Sequence, residues 1–181
     1  MKAILLSITS PWCARILNKE KQYEIRRKFP RDFVGWVYIY CTKEKPYIKK
    51  YHVNNKNTET VVFAESNTFD DNSCINGKVA ARFWCNKVHI IKPNITDHTY
   101  WSNNGTGMTF EDFVYSCDGK ELHALPITKL QIFEKPKELK EFYTYKDKII
   151  YSDIDCPPYV DKVKVQITKG PRNYQWIYIG E

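Results

Sequence analysis

Glycine is scarce in this chain, with seven among 181 residues, and they never gather into a glycine-rich loop. That excludes the phosphate cradles of P-loop and dinucleotide-binding folds, and no G-x-S-x-G elbow is present either. Apolar runs are short, and none approaches the ~18 residues that would cross a bilayer. Behind Met1-Lys2 the apolar stretch covers only Ala3 to Leu6, too little for the core of a secretory signal. The six cysteines, Cys13, Cys41, Cys74, Cys85, Cys117 and Cys156, include no C-x-x-C pair. The four histidines, His52, His89, His98 and His123, lack metal-ligand spacing. Cys85 and His89 would share a helix face, but their segment reads as strand. The expectation is a cytoplasmic protein with reduced thiols, no metal, no cofactor and no membrane span. The sequons at Asn94 and Asn104 then carry no glycan.

What the chain has in quantity is aromatic residues and positive charge. Aromatics make up 15% of it, including 13 Tyr and 5 Trp, and 28 basic residues outnumber 21 acidic ones for a net charge of +7. Aromatic and β-branched residues favour strands. Cations meet phosphates and rings stack on bases, so the composition suits a nucleic-acid or nucleotide partner. A moderate net charge also serves solubility alone. The length suits one domain, 1–181, with an insertion.

Strand character appears at Ala3–Ile8, and Ser10-Pro11 then marks a helix start, with Ser10 as N-cap. Trp12, Cys13, Ile16 and Leu17 make its apolar stripe, and Asn18 or Lys19 ends it, Asn18 being the one that better tolerates the left-handed conformation. A strand over Gln22–Arg26 follows, then one at Gly35–Cys41 whose lack of alternation predicts burial on both faces. Residues 43–76, rich in Lys, Asn and Thr, read as an inserted excursion with one short strand around Val61–Phe63. Strand character resumes from Gly77 to Ile91. Lys92–Asn94 and Asn103–Gly105 together mark a loop. Thr109 caps a second helix carrying Phe110, Phe113, Val114 and Cys117, ended by Asp118-Gly119. A strand over Ile127–Phe133, a short helix from Lys135 to Phe142 and a polar stretch over 143–158 follow. Two alternating segments, Val163–Ile167 and Tyr174–Ile179, close the chain. Dominant strands with two or three short helices predict an α+β domain or a capped small barrel.

The most informative stretch is 18–30. On a strand, Tyr23 and Ile25 point to a core while Gln22, Glu24 and Arg26 point away together, with Lys21 at the turn beside them. A lysine, a carboxylate and an arginine on one surface suit an anionic or polar ligand. They equally suit a solvated salt-bridge cluster.

Read in order, these segments resemble the ASCH-domain family, a branch of the PUA-like superfamily of small β-barrels. The family motif G-x-K-x-x-E-x-R is matched by Lys21, Glu24 and Arg26, with Lys19 in place of the glycine. The likeness continues through Arg27–Pro30, Gly35–Tyr40, Gly77–Phe83, Ala124–Leu130, Lys135–Phe142 and Pro171–Tyr178, nearly the whole chain, and is nearest the bacterial and prophage members. The resemblance implies a cleft beside the first helix, lined by the motif and suited to RNA or a modified nucleoside. Some members deacetylate an acetylated cytidine and some are linked to RNA cleavage; the deacetylating members carry a threonine nucleophile where this chain has Glu24.

The expected ligand-binding residues are therefore Lys21, Glu24, Arg26, Arg27 and Trp176. Lys21 and Glu24 are also the catalytic candidates if the protein is a hydrolase of a modified nucleoside or of RNA. Tyr174, Trp176 and Tyr178 form an aromatic face that either stacks bases or packs on a helix. Lys43, Lys45, Lys49 and Lys50 either extend a basic track or are simply solvated. A protein-interaction module, its cleft filled by Trp12 or Phe29, is the remaining alternative.

Overall fold

A computed structural model describes residues 1–55, 58–150 and 159–179. Cys156 and the end of the 143–158 stretch lie outside the described residues. The first strand, β1 (Lys2–Ile8), is apolar along almost its whole length because both its faces are covered. Helix α1 (Ser10–Leu17) follows, with Pro11 in its first turn. Thr9, one residue earlier than expected, holds the extended N-cap position. Ser10 Oγ donates instead to the Glu44 carbonyl at 2.9 Å.

The end of α1 departs from expectation in an instructive way. Asn18 keeps φ at −79°, and Lys19 takes the left-handed position at φ 63°. The Lys19 N–H donates to the Ile16 carbonyl and the Glu20 N–H to the Arg15 carbonyl, both at 2.9 Å. That pair of bonds is a Schellman cap, whose left-handed residue is usually glycine. Asn18 has other work: its amide brackets Phe63, donating to the carbonyl at 2.8 Å and accepting from the N–H at 2.9 Å.

Strand β2 (Tyr23–Arg26) comes next, then β3 (Gly35–Cys41), buried on both faces as its composition predicts. The 43–76 excursion contains two strands rather than one. Here β4 (Tyr47–Asn55) and β5 (Thr58–Ser66) pair as an antiparallel hairpin. Only Ile48 and Phe63 are deeply buried in these strands, so the second strand carries little apolar signal. Asn76 pins the hairpin at the base, accepting from the Ile48 N–H at 2.7 Å and donating to Ser10 Oγ at 2.8 Å and the Glu44 carbonyl at 2.9 Å.

Strands β6 (Val79–Cys85) and β7 (His89–Ile91) lead into helix α2 (Ile95–Ser102), where a loop was expected. The helix is amphipathic only weakly, burying His98 and Trp101, so its signal lay in the cap: Asn94 accepts from the Asp97 N–H at 2.8 Å. Helix α3 (Phe110–Cys117) has the reciprocal capping box between Thr109 and Asp112 and ends at left-handed Asp118. Val114 remains about half exposed, so the buried face narrows to Phe113 and Cys117. The chain finishes with β8 (Leu122–Pro126), β9 (Thr128–Lys137), a 3-10 turn at Leu139–Glu141, β10 (Tyr143–Ile150), β11 (Tyr159–Gln166) and β12 (Tyr174–Tyr178).

The strands form a seven-stranded sheet in the order β11-β10-β12-β1-β3-β6-β9, a three-stranded sheet β2-β8-β7, and the β4-β5 hairpin. The fold is the expected small α+β PUA-like type, and its large sheet is open rather than closed into a ring. Alternation along β1 and β3 divides the core. Ile4, Leu6, Val37 and Ile39 pack under α1, whereas Ala3, Leu5, Tyr38 and Tyr40 pack on the opposite face with Leu139 and Phe142. The three-stranded sheet has its own apolar layer, with Trp101 and Phe113 from the two later helices.

Candidate functional site

Where α1 hands over to β2, the chain must reverse within a few residues. The cap at Lys19 makes the bend, and the N–H groups of Gln22 and Tyr23 then both reach the Gly105 carbonyl, at 2.6 and 3.2 Å. This delivers Lys21 and β2 to one wall of a cleft of about 840 Å³. The opposite walls are the end of β1, Trp12 of α1, the α3 residues Asp112 and Ser116, and the 171–173 segment. Pockets of roughly 300–1,000 Å³ suit small molecules and cofactors, and a mononucleotide falls in that class.

The motif residues converge on the cleft as one ionic cluster. Lys21 Nζ donates to Glu24 Oε2 at 2.7 Å, and Arg26 Nε stands 3.1 Å from Glu24 Oε1. The second contact is Coulombic only, since Arg26 Nε is not aligned to donate a hydrogen bond. Arg26 instead donates through its terminal nitrogen to the Ser7 carbonyl at 2.5 Å. Lys21 also sits 4.5 Å from the centre of the Trp12 ring, a cation–π contact. The solvated cluster foreseen as one alternative is thereby corrected: Lys21 is 5% and Glu24 4% exposed. Strand alternation was right that these side chains leave the Tyr23 and Ile25 face, but α1 and β1 cover the face they turn to. Burying such charges costs several kcal/mol per ion unless they are mutually paired. Here one carboxylate serves two cations.

Arg27 and Lys28 continue from the cluster along the rim, where Arg27 Nε donates to the Ser116 carbonyl at 2.8 Å. Arg172 joins them from the 171–173 segment. In all, five cationic side chains line the cleft against three carboxylates, Glu24, Glu44 and Asp112. Thr42 contributes a buried hydroxyl with no hydrogen-bond partner among the described residues.

Of the expected ligand residues, Lys21, Glu24, Arg26 and Arg27 meet in the cleft and Trp176 does not. Trp176 lies on β12 beside Phe33, with Lys2 Nζ 3.9 Å above its ring. Phe29 is buried against Phe33 and Tyr174, so it leaves the cleft open. The lysines of 43–50 sit on and before the hairpin, outside the cleft lining. Sequence reasoning missed Thr42, Arg172 and Asn173, which only the tertiary fold brings to the motif. Pro171, next to them, could have pointed to a shaped loop.

Two thiols and one imidazole, those of Cys13, Cys85 and His123, are shifted toward their neutral forms. A hydrogen bond with Cys41, burial, and the charges of Cys41 and Glu24 push the Cys13 thiol well above its ordinary range. A thiol so placed is a poor nucleophile. Burial pushes Cys85 up to about 11. His123, opposite Arg26 across β2 and β8, is pushed down chiefly by burial. Among the described residues no cluster of three or more His, Cys, Asp or Glu could hold a metal ion. No helix there is long and apolar enough to cross a membrane.

No family model matches the chain, and no curated protein matches it. Solved structures do. The ASCH protein from Zymomonas mobilis is 13% identical, with 96% of this chain and 86% of that one covered at a TM-score of 0.54. A mutant of the same protein gives 14% identity, 96% and 87% coverage and a TM-score of 0.54. At that identity the likeness is one of fold, and the fold is that of an ASCH domain.

Proposed function

We propose that this ASCH-fold protein binds RNA, through a nucleotide or modified nucleoside seated in the cleft. The observation that carries the reading is the Lys21–Glu24–Arg26 cluster forming one wall of a nucleotide-sized, open, net-cationic cleft. Paired and buried before any ligand arrives, the cluster is preorganised, which lowers the ordering cost of binding. Glu24 holds Lys21 and Arg26 in place at the cleft wall. Arg27, Lys28 and Arg172 on the rim meet phosphate, and the unpartnered Thr42 hydroxyl takes a further polar group. Neither Trp12 nor Phe29 fills the space, which favours a ligand site over a pure protein-interaction module.

A hydrolytic reading uses the same pair, with Lys21 and Glu24 activating water or an amide. Its supporting observation is the direct Lys21–Glu24 contact within a cleft. Binding is favoured because both Glu24 oxygens already face cations, leaving neither free to take a proton from water.

Titration of a labelled short RNA and of free nucleosides at two salt concentrations tests the reading. With three rim cations on phosphates, log K should fall against log salt with a slope of about −2. Absence of binding by RNA and nucleosides alike at low salt overturns it. Turnover of a modified nucleoside that is lost in Glu24→Gln would move the conclusion to the hydrolase.

A further inference from the structure

Outside the cleft, aromatic rings and lysines form a line across the large sheet. Strand register sets it. Lys2 pairs with Tyr178, Ile4 with Trp176 and Leu6 with Tyr174, so all six side chains share the face that carries α1. Tyr143 pairs with Tyr178, and Lys164 with Tyr145, which carries the same face through β10 to β11. The contacts follow: Lys2 Nζ lies 3.9 Å above Trp176, and Tyr145 meets Tyr178 edge to face at 4.7 Å. Tyr143 stands 6.0 Å from Tyr145, with Lys164 Nζ 3.9 Å above the Tyr143 ring.

Helix α1 does not reach this part of the face. Tyr145 is 39% exposed, and Trp176, Tyr178 and Tyr143 are half-buried. Among the described residues neither Lys2 nor Lys164 forms a salt bridge. Asp147 lies opposite Lys162 in register. Arg172 and Asn173, two of the cleft's lining residues, immediately precede β12, and Tyr174, packed against Phe29, stands between the cleft and the line.

We propose that this line is a track for single-stranded RNA leaving the cleft, with bases stacking on Trp176, Tyr178 and Tyr145 and phosphates meeting Lys2 and Lys164. The proposal rests on the nucleotide-binding reading of the cleft and adds that the ligand is a strand rather than a free nucleoside. Four steps along β12 and two strand spacings across to β11 span about 14 Å and about 10 Å, room for several nucleotides. Rings that alternate with cations are how sequence-tolerant single-strand binders work. A duplex keeps its bases stacked inside and offers such rings nothing to stack on. An acidic peptide would meet the lysines but leave the exposed ring faces unused.

The test compares uridine monophosphate, which the cleft alone accommodates, with an oligouridylate of about twelve nucleotides. The longer strand is expected to bind more tightly. Tyr145→Ala and Tyr178→Ala should each weaken it by about five- to a hundredfold and leave the mononucleotide unchanged. Tyr145→Phe, which keeps the ring, should bind as the parent does. Lys164→Gln should flatten the salt slope by about 0.7. Folding of each variant is checked by circular dichroism. Folded alanine variants that hold the oligouridylate as tightly as the parent overturn the track, while mononucleotide binding leaves the cleft reading standing. If neither probe binds, the cleft reading falls and the track with it. Displacement of the strand by an acidic peptide of micromolar affinity would also overturn it.

Discussion

Lys21 and Glu24 meet at 2.7 Å with almost no solvent access to either side chain, and Arg26 shares the same carboxylate from its other oxygen. Glu24 is therefore the single anion neutralising two cations. Glu24→Gln should destabilise the protein by about 3–5 kcal/mol, the cost of stranding buried charge. Lys21→Met should cost only about 1–3 kcal/mol, since Glu24 keeps Arg26. Urea unfolding reads both as shifts in midpoint at constant slope. Equal losses in the two variants would argue against a shared anion.

Lys19 occupies a left-handed position at φ 63° that costs a residue with a Cβ about 1–2 kcal/mol. Lys19→Gly gives back part of that in added unfolded-state freedom. A net stabilisation of about 0.5–1 kcal/mol is expected, seen as a rise of about 1–4 °C in melting temperature. A fall in melting temperature would mean that the lysine side chain has a compensating role.

Asn76 accepts from the Ile48 N–H, which is fully buried. Asn76→Ala leaves that donor without a partner and releases the Glu44 and Pro46 carbonyls. A loss of about 2–3 kcal/mol is expected, with faster hydrogen exchange concentrated in β4 and β5. Exchange that rises uniformly over the whole chain would show that the hairpin is not separately docked.

Two histidines give the pH dependence its direction. His123 is lowered from 6.5 chiefly by burial, partly offset by the Arg26 backbone and then lowered further by Arg31. His89 is lowered by burial and by Lys87. The folded state thus binds protons less readily than the unfolded chain, so their contribution is fully present above pH 6.5 and declines as pH falls toward the lowered folded values. Melting temperature should drop between about pH 6.5 and 5, before carboxylates titrate. His123→Gln should flatten that drop, and an unchanged profile would assign it elsewhere.

The elements with strong local signals were legible. Continuous apolar runs marked β1 and β3, Ser10-Pro11 placed α1 within one residue, and Thr109 with Asp112 marked α3. The ASCH resemblance brought Lys21, Glu24 and Arg26 forward as a group. Features that depend on distant partners were hidden. Helix α2 buries too little to show periodicity, and the hairpin depends on Asn18 and Asn76, polar residues whose docking role has no sequence signature. Lys19 concealed a Schellman cap because the expected glycine was missing. Burial of Glu24 follows from what covers β2, which strand alternation alone cannot state.

The placement of β1 between β3 and β12 has a consequence for how the chain acquires its shape. The β3 partner is close behind in sequence, but the β12 partner, at Tyr174–Tyr178, emerges from the ribosome only after almost every other described element. Until then β1 carries a bare row of backbone donors and acceptors along a strongly apolar strand, the kind of edge that invites pairing with another chain. Closing it joins residues about 170 positions apart, which makes completion of the sheet a slow, late step. A nascent chain stalled before residue 174 should therefore be the most aggregation-prone species this sequence produces.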